Sequence, residues 1–186
     1  MPREAFTTVN EIAADQFGYF MASQAQAAGV SSMALVMMEK RGSIERVSRG
    51  VYRLPHFPHG PLAEYIEAAF WPAGVTGTIS HESALAMYGV SDVNPAHVHI
   101  TVPRRYRVRR EVPSRYRLHH ADLDDHEQTF FEGIPVTTIA RTVRDCRASH
   151  VGNEIIGQAI ADAERAGLLS RRDADQLRAE FNFLRS

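Results

Sequence analysis

Apolar positions recur at helical spacing in the first forty residues. The first stripe has four members, namely Val9, Ile12, Ala13 and Phe17. Such a stripe predicts an amphipathic helix, and the capping-box spacing of Thr8 and Glu11 places its start at Thr8, with Gly18 as its end. Two further helices are predicted over 21–28 and 31–40, because good helix formers fill the first and Ser31 can cap the second.

The pattern changes to short strands after residue 42. Residues 44–47 and 51–54 are rich in strand formers, and the intervening Ser48-Arg49-Gly50 is interpreted as a three-residue hairpin loop. Three helices followed by a hairpin predict a winged helix-turn-helix domain. The small and apolar residues that a steep crossing of the second and third helices needs are present at suitable positions, namely Ala25, Gly29, Val30, Leu35 and Met38.

A proline-rich stretch separates this domain from the rest of the chain. Residues 53–61 contain three prolines and a glycine, a composition that interrupts helices and central strands. We therefore predict a winged helix-turn-helix domain over 1–56, a linker over 57–61 and a second domain over 62–186. The predicted fold class is α+β, with the winged domain followed by a mixed α/β domain that ends in a helical tail.

The second domain alternates helical and strand-like segments. Helices are predicted over 62–71 and 81–88, and strands over 77–80, 97–102, 115–120 and 133–138. The strands 97–102 and 115–120 flank an arginine-rich turn, so we expect them to form a hairpin. In the helix that follows residue 138, Arg141 and Asp145 are four apart and can form an ion pair, which is interpreted as a structural clamp.

Charge is clustered although the totals nearly cancel. The 186 residues include 21 Lys+Arg and 22 Asp+Glu, for a net charge of −1. Residues 40–53 contain five basic residues and one acidic residue, Glu45. Residues 104–117 contain seven arginines and one acidic residue, Glu111. Clustered positive charge on a near-neutral protein indicates a local anion-binding face, for which nucleic acid is the commonest large partner.

The remaining composition narrows the class of protein. Cys146 is the only cysteine, which excludes an intrachain disulfide and a multi-cysteine zinc site and favours a reducing compartment. No apolar run approaches the roughly 20 residues that span a bilayer, and the first 20 residues resemble no targeting peptide. We therefore expect a soluble cytoplasmic protein with no membrane partner.

The third helix of a winged domain normally enters the major groove of DNA. The predicted DNA-binding residues are Ser31, Ser32, Met33, Met37, Lys40 and Arg41 on or beside this helix, and Arg46, Arg49 and Arg53 on the hairpin. No arginine, asparagine or glutamine on this helix is placed to make a bidentate base contact. We therefore expect phosphate contacts to dominate the affinity. A secondary basic patch comprises Arg104, Arg105, Arg107, Arg109 and Arg110.

Candidate catalytic arrangements are weak. His97 and His99 lie on one face of a strand, with His119, His120 and His126 nearby in the sequence, but nothing fixes a third ligand. Ser83 has His81 and Glu82 as helical neighbours, which do not face it. Phosphate-loop glycines are missing, and Cys146 lies in a predicted helix. We therefore predict neither an enzyme nor a bound metal or cofactor.

Four segments resemble the AbiEi-type antitoxins of type IV abortive-infection toxin–antitoxin systems. They are Gly18–Leu54, which ends in Arg46-Val-Ser-Arg-Gly-Val-Tyr-Arg-Leu54, then Ile79–Leu85, His99–Pro103 and Gly133–Asp145. The resemblance implies that the winged domain represses the antitoxin–toxin operon by binding double-stranded DNA at repeats in its promoter. It also implies that the second domain neutralises a cognate nucleotidyltransferase-like toxin.

Several alternatives remain open at this point. One is a winged-helix transcriptional regulator without a toxin partner, and another is a metal-dependent nucleic-acid-processing protein that uses the histidines and the acidic run Asp122–Asp125. A homodimer on DNA is a further open alternative. The secondary basic patch fits an extension of the DNA footprint along the phosphates or a role in toxin neutralisation.

Overall fold

The computed structural model describes residues 2–182 and shows an α+β protein with two compact units. The first unit is Met1–Gly77 with Glu132–Ile134, and the second is Thr78–Phe131 with Pro135–Ser186. The predicted α+β class is confirmed. The division after Gly77 lies later in the chain than the predicted linker over 57–61, and the extreme ends of the predicted domains, residues 1 and 183–186, lie outside the described residues.

The first unit has the element order of a winged helix followed by one more helix. Its elements are α1 (Pro2–Ala14), β1 (Tyr19–Met21), α2 (Ala22–Ala27), α3 (Ser32–Lys40), β2 (Glu45–Ser48), β3 (Val51–Arg53) and α4 (Ala63–Phe70). The three strands form an antiparallel sheet in the order β1-β3-β2. The sheet therefore joins the hairpin to the short strand that precedes α2.

Three local predictions for this unit were wrong. Thr8 does not cap a helix, because α1 already begins at Pro2, and proline is tolerated in the first turn of a helix. Thr8 lies inside α1, where its hydroxyl donates to the Glu4 carbonyl at 3.1 Å. Strand β1 was missed, since three residues are too few to show alternation. The hairpin loop has two residues, Arg49 and Gly50, and Gly50 supplies the positive φ of 80° at the turn.

A compact apolar core holds the first unit together. Phe20 on β1 stacks on Tyr52 on β3 with ring centroids 5.6 Å apart, and Leu35 and Met38 of α3 are buried in the same cluster. Gly18 precedes β1 with φ of 85°, and a Cβ there would lie 2.5 Å from the Cβ of Phe57. Glycine at this position therefore permits both the left-handed turn and the close approach of Phe57.

The second unit has a five-stranded sheet and four helices within the described residues. Its elements are β4 (Thr78–Ile79), α5 (His81–Tyr88), β5 (Val98–Val102), β6 (Tyr116–His120), a 3-10 turn (Asp125–Glu127), β7 (Gln128–Phe131), β8 (Ile134–Thr137), α6 (Ile139–Ala148), α7 (Asn153–Arg165) and α8 (Arg171–Glu180). The strand order is β6-β5-β4-β8-β7. Helices α5 to α8 enclose a core that includes Leu85, Val143, Ile156 and Ile160.

The predicted hairpin between residues 97–102 and 115–120 was wrong. Both strands exist, but β5 and β6 pair in parallel, with Val98 opposite Tyr116 and Val102 opposite His120. Parallel neighbours need a crossover of about a dozen residues, because the chain must return to the starting end of the first strand. Residues 103–115 form that crossover, so the secondary basic patch lies on a long connection and not on a tight turn.

Over residues 2–182, no helix combines the length and the apolar character needed to cross a bilayer.

Candidate nucleic-acid interface

Helix α3 presents one buried face and one exposed face. Leu35 and Met38 are buried, whereas Met33 is 69% exposed and Val36 and Met37 are each 40% exposed. The helix begins after Ser31, whose hydroxyl oxygen accepts a hydrogen bond from the Ala34 amide at 3.1 Å. This cap fixes the start of the helix and therefore which residues face outward.

The outward face can make two kinds of contact with DNA. Ser31 and Ser32 are exposed, and the Ser31 O–H can still donate to a phosphate while its oxygen accepts the capping bond. Ser32 accepts a hydrogen bond from the Gln26 side-chain amide at 3.0 Å. The exposed methionines have no hydrogen-bond donor, so they suit thymine methyl groups and sugars in a groove.

Four cationic side chains are exposed around this helix and the hairpin. Lys40 and Arg41 lie at the C-terminal end of α3, Arg46 lies on β2, and Arg49 lies in the turn between β2 and β3. Because α3 and the hairpin are consecutive in the chain, the exposed cations lie on two neighbouring elements of the first unit.

Arg53 does not join this group, which corrects its predicted role. The residue is only 4% exposed. Its Nη1 donates to the Glu45 carboxylate at 2.8 Å, and its Nη2 donates to the Phe57 carbonyl. The guanidinium is therefore committed within the fold, where it also pairs with Glu45, the residue that precedes the exposed Arg46.

An open cavity of about 610 Å³, which was not predicted, lies beside α3. Its walls come from α1, from the turn between α2 and α3, and from α3 itself. The lining residues are Glu4, Ala5, Thr8, Ala28, Gly29, Val30, Ser31, Met33, Ala34, Met37, Met38 and Arg41. Met33 and Met37 thus border a concave apolar surface as well as the outer face of the helix.

The secondary basic patch lies in the second unit. Arg104, Arg105, Arg107 and Arg109 are exposed and Arg110 is half-buried. The Arg104 amide donates to the Asp122 carboxylate at 3.1 Å, which ties one end of the crossover to the segment after β6. The exposed guanidinium groups form a cationic surface along residues 104–110.

The sequence placed His97 and His99 together as candidate ligands, but the structure groups His99 with two other histidines. Nδ1 of His99 lies 3.1 Å from Nε2 of His119, and the His81 ring stacks on the His119 ring. His81 was not among the predicted ligand candidates. Its proximity depends on the pairing of β4 with β5 and of β5 with β6, which no local pattern reveals.

The two potential nucleophiles, Ser83 and Cys146, are both buried in the second unit. The Ser83 hydroxyl donates to the His97 carbonyl at 3.1 Å and accepts from the His99 amide at 2.9 Å, and Ser83 is fully buried. Cys146 is also buried, and burial raises the pKa of its thiol. A buried thiol with a raised pKa is a poor nucleophile.

Arg141 is the centre of a largely buried ion-pair network. Its Nε donates to Asp145 at 2.8 Å, which confirms the predicted pair, and its Nη1 donates to Glu127 at 2.7 Å. Burial raises the pKa of Asp145 despite Arg141. Burial would also raise the pKa of Glu127, but hydrogen bonds from the Asp124 amide and Arg141 lower it. The network joins α6 to the turn before β7.

A protein-family model matches part of the first unit of this chain. Residues 8–55 match the model of the family described as "Transcriptional regulator, AbiEi antitoxin", which confirms the resemblance over this segment. The description of that family names a transcriptional regulator. No curated protein matches the chain. A crystal structure of the RV2827C protein from Mycobacterium tuberculosis superposes with a TM-score of 0.49 and 13% identity, over 92% of this chain and 70% of that chain.

Proposed function

We propose that this protein is a DNA-binding antitoxin that represses its own operon through the winged helix. The observation that carries this proposal is the arrangement of exposed cations around α3 and the hairpin. Lys40 and Arg41 lie at the C-terminal end of α3, and Arg46 and Arg49 lie on the hairpin formed by β2 and β3. In a winged-helix complex, these two elements contact the major groove and the flanking phosphates.

Electrostatic contacts supply most of the affinity in this proposal. The exposed face of α3 lacks side chains for bidentate base recognition, so sequence preference comes from Ser31, Ser32 and the apolar contacts of Met33 and Met37. Each phosphate contact contributes about −0.9 to the slope of log K against log salt. The four cations of the winged helix therefore contribute about −3.6 to the slope for each bound chain, and a homodimer on two half-sites gives about twice that value.

The test is a titration of the whole chain with DNA from its own promoter region. We expect promoter DNA to bind more tightly than a scrambled duplex of equal length, with a salt slope of at least about 3.6 in magnitude per bound chain. Fluorescence anisotropy at several salt concentrations measures the slope, and sedimentation of the complex gives the number of chains bound. Equal affinity for both duplexes, or a slope near zero, would contradict operator binding.

Neutralisation of a nucleotidyltransferase-like toxin is the second part of the proposal. Its support is the resemblance of three segments beyond the winged helix, namely Ile79–Leu85, His99–Pro103 and Gly133–Asp145. The segments coincide with parts of β4, α5, β5 and α6 and with the whole of β8, and in this proposal these elements belong to the domain that binds the toxin. Growth rescue during co-expression with the cognate toxin tests this part independently of DNA binding.

We propose that the secondary basic patch extends the DNA footprint along the phosphates. The double substitution Arg107→Glu/Arg109→Glu reverses two exposed charges on the crossover, so we expect about a tenfold or greater loss of promoter affinity. Anisotropy titration and growth rescue are measured on the same variant. Unchanged DNA affinity together with failed rescue would mean that the patch serves toxin neutralisation and not DNA binding. Parental results in both assays would mean that the patch serves neither role.

A further inference from the structure

Three histidines of the second unit converge although they are far apart in the sequence. His99 lies on β5 and His119 on the parallel neighbour β6, while His81 begins α5 immediately after β4. The rings of His81 and His119 stack with centroids 3.6 Å apart. One ring nitrogen from each histidine lies within 4.8 Å of those of the other two.

The spacing of these nitrogens matches that of ligands around one metal ion. A tetrahedral zinc ion with Zn–N bonds of about 2.0–2.1 Å separates its ligand nitrogens by about 3.3 Å. Nδ1 of His99 and Nε2 of His119 are already 3.1 Å apart. The third nitrogen needs to approach by at most about 1.5 Å. Because a metal ion lies in the plane of each imidazole that binds it, the His81 and His119 rings would also rotate out of their stacked arrangement.

Neighbouring polar groups orient two of the rings for this role. The Glu82 carboxylate lies 3.6 Å from Nε2 of His99, beyond a direct hydrogen bond. Its negative charge favours the proton on that nitrogen and leaves Nδ1 for a metal, and a slightly closer approach would give the carboxylate–histidine–zinc arrangement. The Ser80 hydroxyl contacts Nδ1 of His81 at 2.9 Å and accepts a hydrogen bond from Thr101 at 2.8 Å. Nε2 of His81 therefore remains available as a ligand.

The electrostatic environment keeps all three rings neutral. Burial, followed by charge interactions with neighbouring groups, lowers the pKa of His81 to about 3 and the pKa values of His99 and His119 to about 4. Neutral imidazole is the form that binds metals. Of the nearby charges, Glu82 favours a cation, whereas Arg117 and Arg141 oppose one. The charge of Arg141 is compensated by Asp145 and Glu127.

We propose that His81, His99 and His119 form a binding site for one divalent transition-metal ion of the zinc class. Imidazole ligands suit zinc and its first-row neighbours, whereas magnesium and calcium prefer oxygen ligands. Three protein ligands leave a fourth position for water or another ligand, and the half-buried His119 provides the most exposed side of the group. The ion would link the start of α5 to strands β5 and β6.

Cobalt titration of the full-length, tag-free chain after chelator treatment tests this site. We expect one Co²⁺ to bind per chain with the visible absorption of tetrahedral cobalt, and Zn²⁺ to displace it. His119→Ala should weaken binding by about 100-fold or more, since a direct ligand should contribute at least as much as its outer-shell partners. His120→Ala is the matched control, because His120 is the exposed next residue on β6, and it should bind like the parent chain.

A second variant keeps the test decisive if His119→Ala fails to fold. Glu82→Gln leaves every ligand in place and removes only the carboxylate beside His99, so we expect metal affinity to fall about 10-fold to 100-fold. Circular dichroism verifies the fold of each variant, and added Zn²⁺ should raise the melting temperature of the parent chain and of His120→Ala. Absence of saturable binding by the parent chain, or parental affinity in folded His119→Ala or in Glu82→Gln, would overturn the proposal.

Discussion

The double variant Lys40→Glu/Arg49→Glu is expected to bind promoter DNA about 100-fold more weakly than the parent chain. Lys40 ends α3, and Arg49 lies at the tip of the hairpin, so the variant changes both phosphate-binding elements. A charge-assisted hydrogen bond to phosphate contributes about 1.4 kcal/mol or more, which is about tenfold in affinity for each contact. Repulsion by the introduced carboxylates adds to the loss.

The same experiment distinguishes local contacts from net charge. Arg171→Glu/Arg172→Glu makes an equal change in net charge at exposed positions in the first turn of α8, where acidic residues are favourable to the helix. This control should bind promoter DNA with the affinity of the parent chain. For Lys40→Glu/Arg49→Glu, we expect the salt slope to be lower in magnitude than that of the parent chain by about 2. Equal losses in the two variants would mean that the winged helix is not the DNA-binding element.

Arg53 shows how far a charge pattern alone can assign function. In the sequence it is one of five basic residues between 40 and 53, and nothing local distinguishes it from Arg49. The strand register places it opposite both Tyr19 and Glu45, so it lies on the central strand of the small sheet and is buried. The exposure of a basic residue depends on strand order, which is a property of the folded unit.

Local patterns predicted most of the helices because each signal is contained in a few residues. Ser31 and Gly42 bound α3 as expected, and the left-handed Gly89, with φ of 66°, ends α5. The direction of strand pairing could not be predicted in this way. A turn rich in arginine is compatible with a hairpin, and only the register of β5 with β6 shows that it is a crossover.

The candidate metal site was missed for a related reason. The sequence draws attention to His97 and His99, because they are two residues apart on one strand. His81 and His119 reach His99 only through neighbouring elements, and His81 adopts a left-handed φ of 54° that non-glycine residues seldom use. A ligand set assembled from three elements carries no spacing signal along the chain.

The substitution Arg141→Leu is expected to lower the free energy of unfolding by about 3 kcal/mol. It leaves Asp145 and Glu127 without their cation, and these side chains are only 14% and 26% exposed. Removing one partner from a largely buried ion pair leaves the other charge buried without compensation. The free-energy cost of that uncompensated charge exceeds the net contribution of the intact pair to stability. Urea denaturation followed by circular dichroism measures the difference.

Arg144→Leu is the matched control on the same helix. Arg144 pairs with Glu180 at 3.0 Å, but both side chains are about two-fifths exposed, so its loss should cost less than about 1 kcal/mol. Promoter affinity should be parental in both variants at temperatures where they are folded, because the network serves as a clamp within the second unit. Equal stability losses in the two variants would contradict the clamp, and a folded Arg141→Leu variant that fails to rescue growth would give Arg141 a direct role in toxin neutralisation.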